Sequence, residues 1–371
     1  MNIGLLITRF LPDVANGAEL QLKQVAVQLA SRGHDVTVFT RRYNGSPKNE
    51  QQDGFSICRR RELPIPVVRM IWDTLPALID IRRHRPRVDV LLCYETMNSG
   101  FIGAWAQSLL GIPAVVSIRG DTEYRLNLSL ANRLLVPGVY RRAKQVLLQT
   151  PRMLDDMRRE WTSANRADLY KCIESKLSVV PNGVELPDAI HSSGNKVVFV
   201  GRLIKGKGTA DLVSALKKLP DAEATIVGDG PERDRLQELA QGLNIQFTGR
   251  VEPHEVAGYL SEARMLVLPS LAGDGLPNVI LEAMSLGVPV ISTRTAGIPD
   301  VVLDGQSGLL FEPGEVNTLT NHIRRLLDDD QLHGQMAKRS VEIARSYAWD
   351  VVTPQIERAL NAAIAPSSGH R

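Results

Sequence analysis

From Lys196 to Thr293 the chain repeats one phrase: a short apolar run, a polar loop holding a turn residue, and in most cases a stretch of helical period. The runs are "KVVFVGRL", "EATIVGDG", "IQFTGR", "RMLVLPS" and "VPVIST". Short apolar runs that alternate with helices specify parallel strands, because parallel neighbours can be joined only by a long crossover, usually a helix. The first half has the same rhythm. "NIGLLIT" is followed by "AELQLKQVAVQLASRG", where Leu22, Val25, Ala26 and Leu29 recur at helical spacing, and then by "HDVTVFT", "VDVLLCY", "PAVVSI", "AKQVLLQT" and "KLSVVPNGV". Between the halves, "LPDAIHSSGN" has turn residues and no period, so it reads as a linker. With 371 residues there is material for two cores. The expectation is an α/β chain of two doubly wound, Rossmann-like domains facing across a cleft, 1–187 and 188–349, with a C-terminal helix over 350–365 crossing back onto the first.

Composition narrows the functional classes. No apolar run approaches the roughly 18 residues of a membrane span, and "IGLLI" is too short for a signal-peptide core, so a cytoplasmic protein is expected. Cys58, Cys93 and Cys172 are odd in number and show no CxxC spacing, which argues against a disulfide framework or a zinc site. The seven histidines are scattered, and no His-x-x-x-His pair stands ready for a transition metal. Net charge is +3, unevenly spread: the first 188 residues carry +7 and the rest −4. Much of that excess lies in "RRRELPIPVVRMIWDTLPALIDIRRHRPR", with Arg59, Arg60, Arg61, Arg69, Arg82, Arg83, Arg85 and Arg87 among apolar residues. Such a stretch reads either as a surface for anionic lipid or phosphate, or as a solvated face on a core helix.

In open α/β sheets ligands bind at the loops beyond the strand C-termini, so those loops are where chemistry is sought. In "VVFVGRLIKGKGT", Gly201, Gly206 and Lys207 satisfy G-x-x-x-x-G-K after a strand. The match to a nucleoside-triphosphate loop then fails, because Gly208 stands where a Ser or Thr hydroxyl would bind magnesium and Thr209 comes one place late. Arg202 and Lys207 still put two cations beside glycine amides, which suits a diphosphate, although a plain βα turn can also carry surface cations. "TIVGDGPERDRL" brings Gly228 to a second such loop, as a ligand contact or merely as a tight turn. Asp328 to Asp330, between two amphipathic stretches, reads as a helix cap rather than a metal motif.

In order along the chain, "NGAELQLKQVAVQLASRGHDVTVFT", "VPNGV", "GRLIKGKG", "VGDGP", "DGLPNVILEAMSLGVPVI" and "YAWDVVTPQIERAL" resemble the retaining nucleotide-sugar glycosyltransferases of the GT-B fold, glycosyl transferases group 1 (family 4-like). The resemblance covers nearly the whole chain. Two positions depart from the family: the first acid of its Glu-x7-Glu pair is here Asp274, shorter by about 1.5 Å, and Asn16 stands before Gly17 where two glycines are usual.

The resemblance implies a role for each loop. Glu282 would take the ribose hydroxyls. Asp274 would lie beside the transferred sugar with the amides of Gly275, Leu276 and Asn278, Pro277 having none to give. Arg202 and Lys207 would hold the leaving diphosphate, with Gly17, Gly201, Gly228 and Arg250 on the nucleotide side. Glu95, Arg119 and Asp121 fall in first-domain loops, as candidates for the acceptor side. The activity implied is retaining hexosyl transfer from a nucleoside-diphosphate sugar, most often UDP-linked, to a sugar, lipid-linked or small-molecule hydroxyl acceptor in cell-surface polysaccharide or glycolipid synthesis. It implies no resident cofactor, metal or nucleic acid, and a cytoplasmic enzyme that can sit peripherally on the inner membrane face. Two alternatives stay open. One is a P-loop-like nucleotidase, opposed by Gly208 and by "RMLVLPS", which ends without an acid; the other is a catalytically idle sugar-nucleotide-binding subunit, which Asp274 keeps in play.

Overall fold

The computed structural model describes residues 1–12, 16–43, 45–61, 69–187, 194–271 and 275–365; Asp274 and most of the expected linker lie outside them. The chain divides into two compact units, Met1–Pro181 with Asp350–Arg371, and Asn182–Trp349. The change expected at 187/188 thus falls six residues earlier. Asn182 to Pro187 group with the second unit, where Val184 forms a parallel bridge to Ala348.

The first unit is built on an eight-stranded sheet. Its elements are β1 (Asn2–Leu6), α1 (Gly17–Ser31), β2 (Asp35–Arg42), β3 (Asn49–Gln52), β4 (Phe55–Arg61), α2 (Arg69–Arg83), β5 (Val90–Tyr94), α3 (Asn98–Leu110), β6 (Ala114–Ser117), α4 (Leu130–Arg142), β7 (Gln145–Leu148), α5 (Pro151–Ser163), α6 (Ala167–Ile173) and β8 (Leu177–Val179). The strands lie in the order β3-β4-β2-β1-β5-β6-β7-β8, all parallel except β3 on β4. That edge hairpin was not expected from the sequence. Its turn is Asp53-Gly54, with φ of 48° and 86°, the left-handed pair that a two-residue hairpin turn requires.

The arginine stretch divides on the same edge. Strand alternation turns Arg59 inward beside Phe55 and Ile57, and it is 1% exposed. Its guanidinium donates to Glu50 at 2.6 Å and to the Leu11 carbonyl at 2.8 Å. Arg60 is buried too, and burial holds its pKa below the ordinary arginine value. Neither belongs to a surface, which corrects that part of the expectation; Arg82, Arg83, Arg85 and Arg87, at and beyond the end of α2, are exposed.

α5 shows how sequence sets these helices. Pro151 opens it, the Thr150 hydroxyl accepts from the Met153 amide, and Met153, Met157 and Trp161 are buried along one face. The Trp161 indole stacks on Tyr140 and donates to the Tyr124 carbonyl at 2.9 Å.

The second unit is a six-stranded, wholly parallel sheet. It comprises β9 (Lys196–Val200), α7 (Thr209–Leu216), β10 (Ala224–Val227), α8 (Arg233–Leu239), β11 (Ile245–Gly249), α9 (Val256–Ser261), β12 (Ala263–Leu268), α10 (Asn278–Ser285), β13 (Val290–Thr293), β14 (Gly308–Phe311), α11 (Val316–Asp328) and α12 (Asp330–Ala344), in the strand order β11-β10-β9-β12-β13-β14. Asp329 caps α12 by accepting from the Leu332 amide at 2.8 Å. The last helix, α13 (Trp349–Ile364), groups with the first unit from Asp350 onward. There Glu357 accepts from Arg32 Nε, and lies 2.9 Å from His34 Nε2.

Both sheets reverse direction of winding once. In the first the switch lies between β1 and β5, in the second between β9 and β12. Those are the places where an open α/β sheet leaves a crevice at its C-terminal edge.

Candidate active site

At the switch of the second sheet, three loops pack backbone on backbone. The loop after β9 runs from Gly201 through a 3-10 turn, Lys205–Lys207, to Gly208. Leu203 N donates to Asp229 O and Glu232 N to Leu203 O, which fixes one side on the loop after β10; Leu271 N donates to Gly206 O, which fixes the other on the loop after β12. The glycines make this approach feasible. A Cβ on Gly228, φ 135°, would lie 1.9 Å from the Gly201 carbonyl, and one on Gly208, φ 67°, would lie 1.9 Å from the Pro269 carbonyl.

These contacts redefine two expected ligand residues. The Gly201 amide donates to Val227 O and the Gly228 amide to Gly249 O, both at 2.9 Å, so each amide is committed to the sheet. Gly228 shapes the site by its missing side chain, which lets its backbone lie against the Gly201 carbonyl. The cations are placed differently: Arg202 and Arg250 are exposed and make no ion pair among the described residues, and Lys207 is partly buried.

The N-terminus of α10 is held by a residue to which sequence reasoning gave no role. Asn182, of the "VPNGV" motif, is 2% exposed; its Nδ2 donates to Leu276 O at 2.8 Å and to Asn278 Oδ1 at 2.7 Å. Gly275 O accepts from Gly297 N at 3.1 Å. The Leu276 side chain lies in the core, so only its backbone can serve a ligand. Further along α10, Glu282 is partly buried and makes no side-chain hydrogen bond or ion pair among the described residues. Burial pushes its pKa up to about 7. An unpaired carboxylate held in that state can take hydroxyl hydrogen bonds from a ligand. Asp274 lies outside the described residues.

The first sheet's switch has another chemistry. After β5, Glu95 is partly buried and accepts from Thr8 Oγ1 at 2.7 Å. After β6, Arg119 lies over the Tyr94 ring, 4.5 Å from its centroid, and Asp121 is buried and paired with Arg125. What orders this loop is Glu123, which the sequence reading passed over. Its carboxylate accepts from the Arg119 amide at 2.6 Å, the Thr96 amide at 2.7 Å and the Thr96 hydroxyl at 2.8 Å, while burial raises its pKa. α1 starts at Gly17, and Glu19 reaches back to accept from the Asn16 amide at 3.2 Å. No group of three or more His, Cys, Asp or Glu side chains among the described residues is placed to hold a metal ion.

Comparison with known proteins agrees with this architecture. The Glycosyl transferases group 1 family model matches residues 194–329, and the Glycosyl transferase 4-like domain matches residues 16–169. Phosphatidyl-myo-inositol mannosyltransferase of Mycolicibacterium smegmatis is 27% identical over 378 residues, covering 96% of this chain and 93% of the relative. Among solved structures, sucrose-phosphate synthase from Thermosynechococcus elongatus superposes with a TM-score of 0.81 at 22% identity, over 96% of this chain and 97% of the other. Anabaena HepE in complex with UDP-glucose gives 0.72 at 22% identity, over 98% and 100%. At such identities the structures speak to fold alone.

Proposed function

The chain belongs to the group 1 glycosyltransferases and has the GT-B fold, and we propose that it moves a hexose from a nucleoside-diphosphate sugar, with retention, to a hydroxyl acceptor. The observation that carries this reading is Glu282: a carboxylate without a partner among the described residues, on the helix that follows the second sheet's switch, where ribose hydroxyls would supply donors. UDP is the first nucleotide to try, since HepE is solved with UDP-glucose.

In this reading Arg202 and Lys207 stabilise the charge that grows on the departing diphosphate, and Arg250 and the α1 terminus at Gly17 add to the nucleotide side. Asp274 and the backbone at Gly275, Leu276 and Asn278 face the transferred sugar. The acceptor oxygen bonds to the anomeric carbon as the carbon–phosphate-oxygen bond breaks, on the same face, and the acceptor proton passes to a phosphate oxygen. Two side-chain cations do the charge stabilisation that a divalent ion does elsewhere, so no metal is required.

A cytoplasmic enzyme working at the inner membrane face on cell-surface polysaccharide or glycolipid fits one more feature. The neighbouring helices α2, α3 and α4 expose Leu75, Trp105, Leu109, Leu130 and Leu134, and Arg82 and Arg83 stand exposed at the end of α2. Apolar and basic side chains together favour anionic lipid. None of the described helices is long and apolar enough to cross a membrane.

The deciding experiment offers UDP-glucose and GDP-mannose, with and without EDTA, and follows the product's anomeric proton by NMR at early times. An α-linked product from an α-linked donor, undiminished by EDTA, is expected. A β-linked product would overturn retention, and loss of activity on chelation would overturn the metal-free mechanism.

A further inference from the structure

Glu95 holds a backbone conformation that favours glycine. Its φ is 110°, a region costly for any residue with a side chain. The surroundings impose it: the Glu95 amide donates to Ser117 O at 3.2 Å, and its carbonyl accepts from the Gly100 amide and the Ser99 hydroxyl, each at 2.9 Å. A Cβ at Gly100 would stand 2.9 Å from that carbonyl, so the helix start is fitted to the strained residue. Such strain concentrates where a side chain has to be aimed.

The side chain is aimed at the first sheet's switch. Thr8 follows β1 and Glu95 follows β5, and the 2.7 Å bond from Thr8 Oγ1 to Glu95 Oε2 spans the two strands between which the winding reverses. The other oxygen, Oε1, has no hydrogen-bond partner among the described residues, and the residue keeps some solvent exposure. Glu123 beside it differs, with both oxygens taken by Thr96 and Arg119. The charged groups acting most on Glu95 include Glu123, Glu19 on α1 and Arg41 on β2, the last already paired with Asp73; Arg119 and Arg9 act in turn on Glu123 and Glu19. Desolvation first, opposed by Thr8 and Arg41 and reinforced by the two glutamates, raises its pKa to about 7. A phosphate brought here would face the Glu95 carboxylate itself; a neutral hydroxyl would find an open acceptor oxygen.

We propose that Glu95 is the acceptor-binding residue, its free carboxylate oxygen taking the hydrogen bond of an acceptor hydroxyl, and that the acceptor at this point is neutral sugar rather than phosphate-bearing. The inference rests on the transferase reading above. It assigns Glu95 no covalent step and no proton abstraction. The ionised carboxylate accepts the stronger, charge-assisted bond, so transfer should be highest above about pH 7 and fall as pH drops through that value.

The test uses the full chain, UDP-glucose and GDP-mannose as donors, and methyl α-glucoside and methyl α-mannoside against their 6-phosphates as acceptor probes. Transfer to acceptor and donor hydrolysis by water are measured side by side. Wild type should prefer the neutral glycosides. Glu95→Gln should keep donor hydrolysis within about 2-fold, lose about 10-fold in transfer with a raised acceptor KM as a charged acceptor becomes a neutral one, and lose the pH limb near 7. Glu95→Gly guards against a merely structural role: relief of strain should leave Tm unchanged or raise it by roughly 2 °C, while transfer still collapses. The inference is overturned if Glu95→Gln transfers normally, if it loses hydrolysis and transfer in proportion, or if wild type hydrolyses donor yet uses no neutral glycoside. A wild type that neither hydrolyses nor transfers overturns the transferase reading beneath it.

Discussion

The two sheets reverse their winding in the same way and fill the resulting crevice by opposite means. In the second unit the switch is filled with backbone: Gly208 and Gly228 let three loops approach to distances that a Cβ would forbid, and Arg202 and Arg250 stand outward with Lys207 partly buried. In the first unit it is filled with side chains: Thr8, Glu95, Thr96 and Glu123 bond one another across strand ends, and burial raises both carboxylates. A backbone cradle with outward cations suits a ligand of fixed, repeated chemistry such as a diphosphate. Side chains can be exchanged without moving a loop, so a crevice lined by them suits a partner that varies.

The largest effect expected from this contrast is at the glycines. Gly228→Ala puts a methyl 1.9 Å from the Gly201 carbonyl at a φ of 135°. Strain and overpacking together cost about 3 kcal/mol or more, a fall in Tm of roughly 6–12 °C for a unit of this size. Thermal unfolding measures it. Glu95→Gly, by comparison, should not destabilise because it relieves strain at a φ of 110°, and a Gly228→Ala protein with unchanged Tm would remove the backbone-cradle account.

Next come the cations. Arg202→Ala and Lys207→Ala should each lose on the order of 10²-fold in turnover, the scale for removing a preorganised charge stabiliser. Arg202 is exposed and has no ion pair among the described residues, so its Tm should stay put. Near-normal turnover in both variants would separate the cradle from the chemistry and leave the diphosphate assignment without support.

The same contrast explains what could be read before the structure. The second sheet was legible nearly strand by strand, because glycines needed at fixed places for close approach leave a spaced signature; of its strands only "GLLF", Gly308–Phe311, went unnoticed. The first unit gave up its parallel strands except β4, which pairs with β2, and so hid its edge hairpin, although Asp53-Gly54 is a turn signal, since β3 is the polar "NEQQ". It also hid its buried arginines. Nothing local tells Arg59, inward on a strand, from Arg83, outward on a helix; the difference is made by Glu50 and Leu11, which the fold brings to one of them. Glu123 and Asn182 escaped for the same reason. Their roles are hydrogen bonds to backbone at distant positions, Asn182 to Leu276 and Glu123 to Thr96.

The smallest effect, and the one that joins the two regions, is on pH. Glu282 and Glu95 are both raised to about 7, but Glu95 already has a hydroxyl donor in Thr8, whereas Glu282 has no partner among the described residues. The folded-state value of Glu282 lies above its ordinary 4.5, so the free enzyme holds a proton that the unfolded chain releases; its ionisation lowers stability as pH rises from about 4.5 through 7. Ribose hydroxyls bind the ionised form, so nucleotide affinity should run the other way, full above 7 and weakening by up to about 10-fold per pH unit below it. Glu282→Gln should therefore raise Tm at pH 8 and leave it unchanged near pH 4, while weakening UDP binding most at pH 8. UDP titrates in this range on its own, so the quantity to measure by calorimetry is the ratio of wild-type to variant affinity at each pH, in which the ligand's protons cancel. A ratio independent of pH would mean that Glu282 meets no hydroxyl, and the carboxylate would then be a feature of the fold alone.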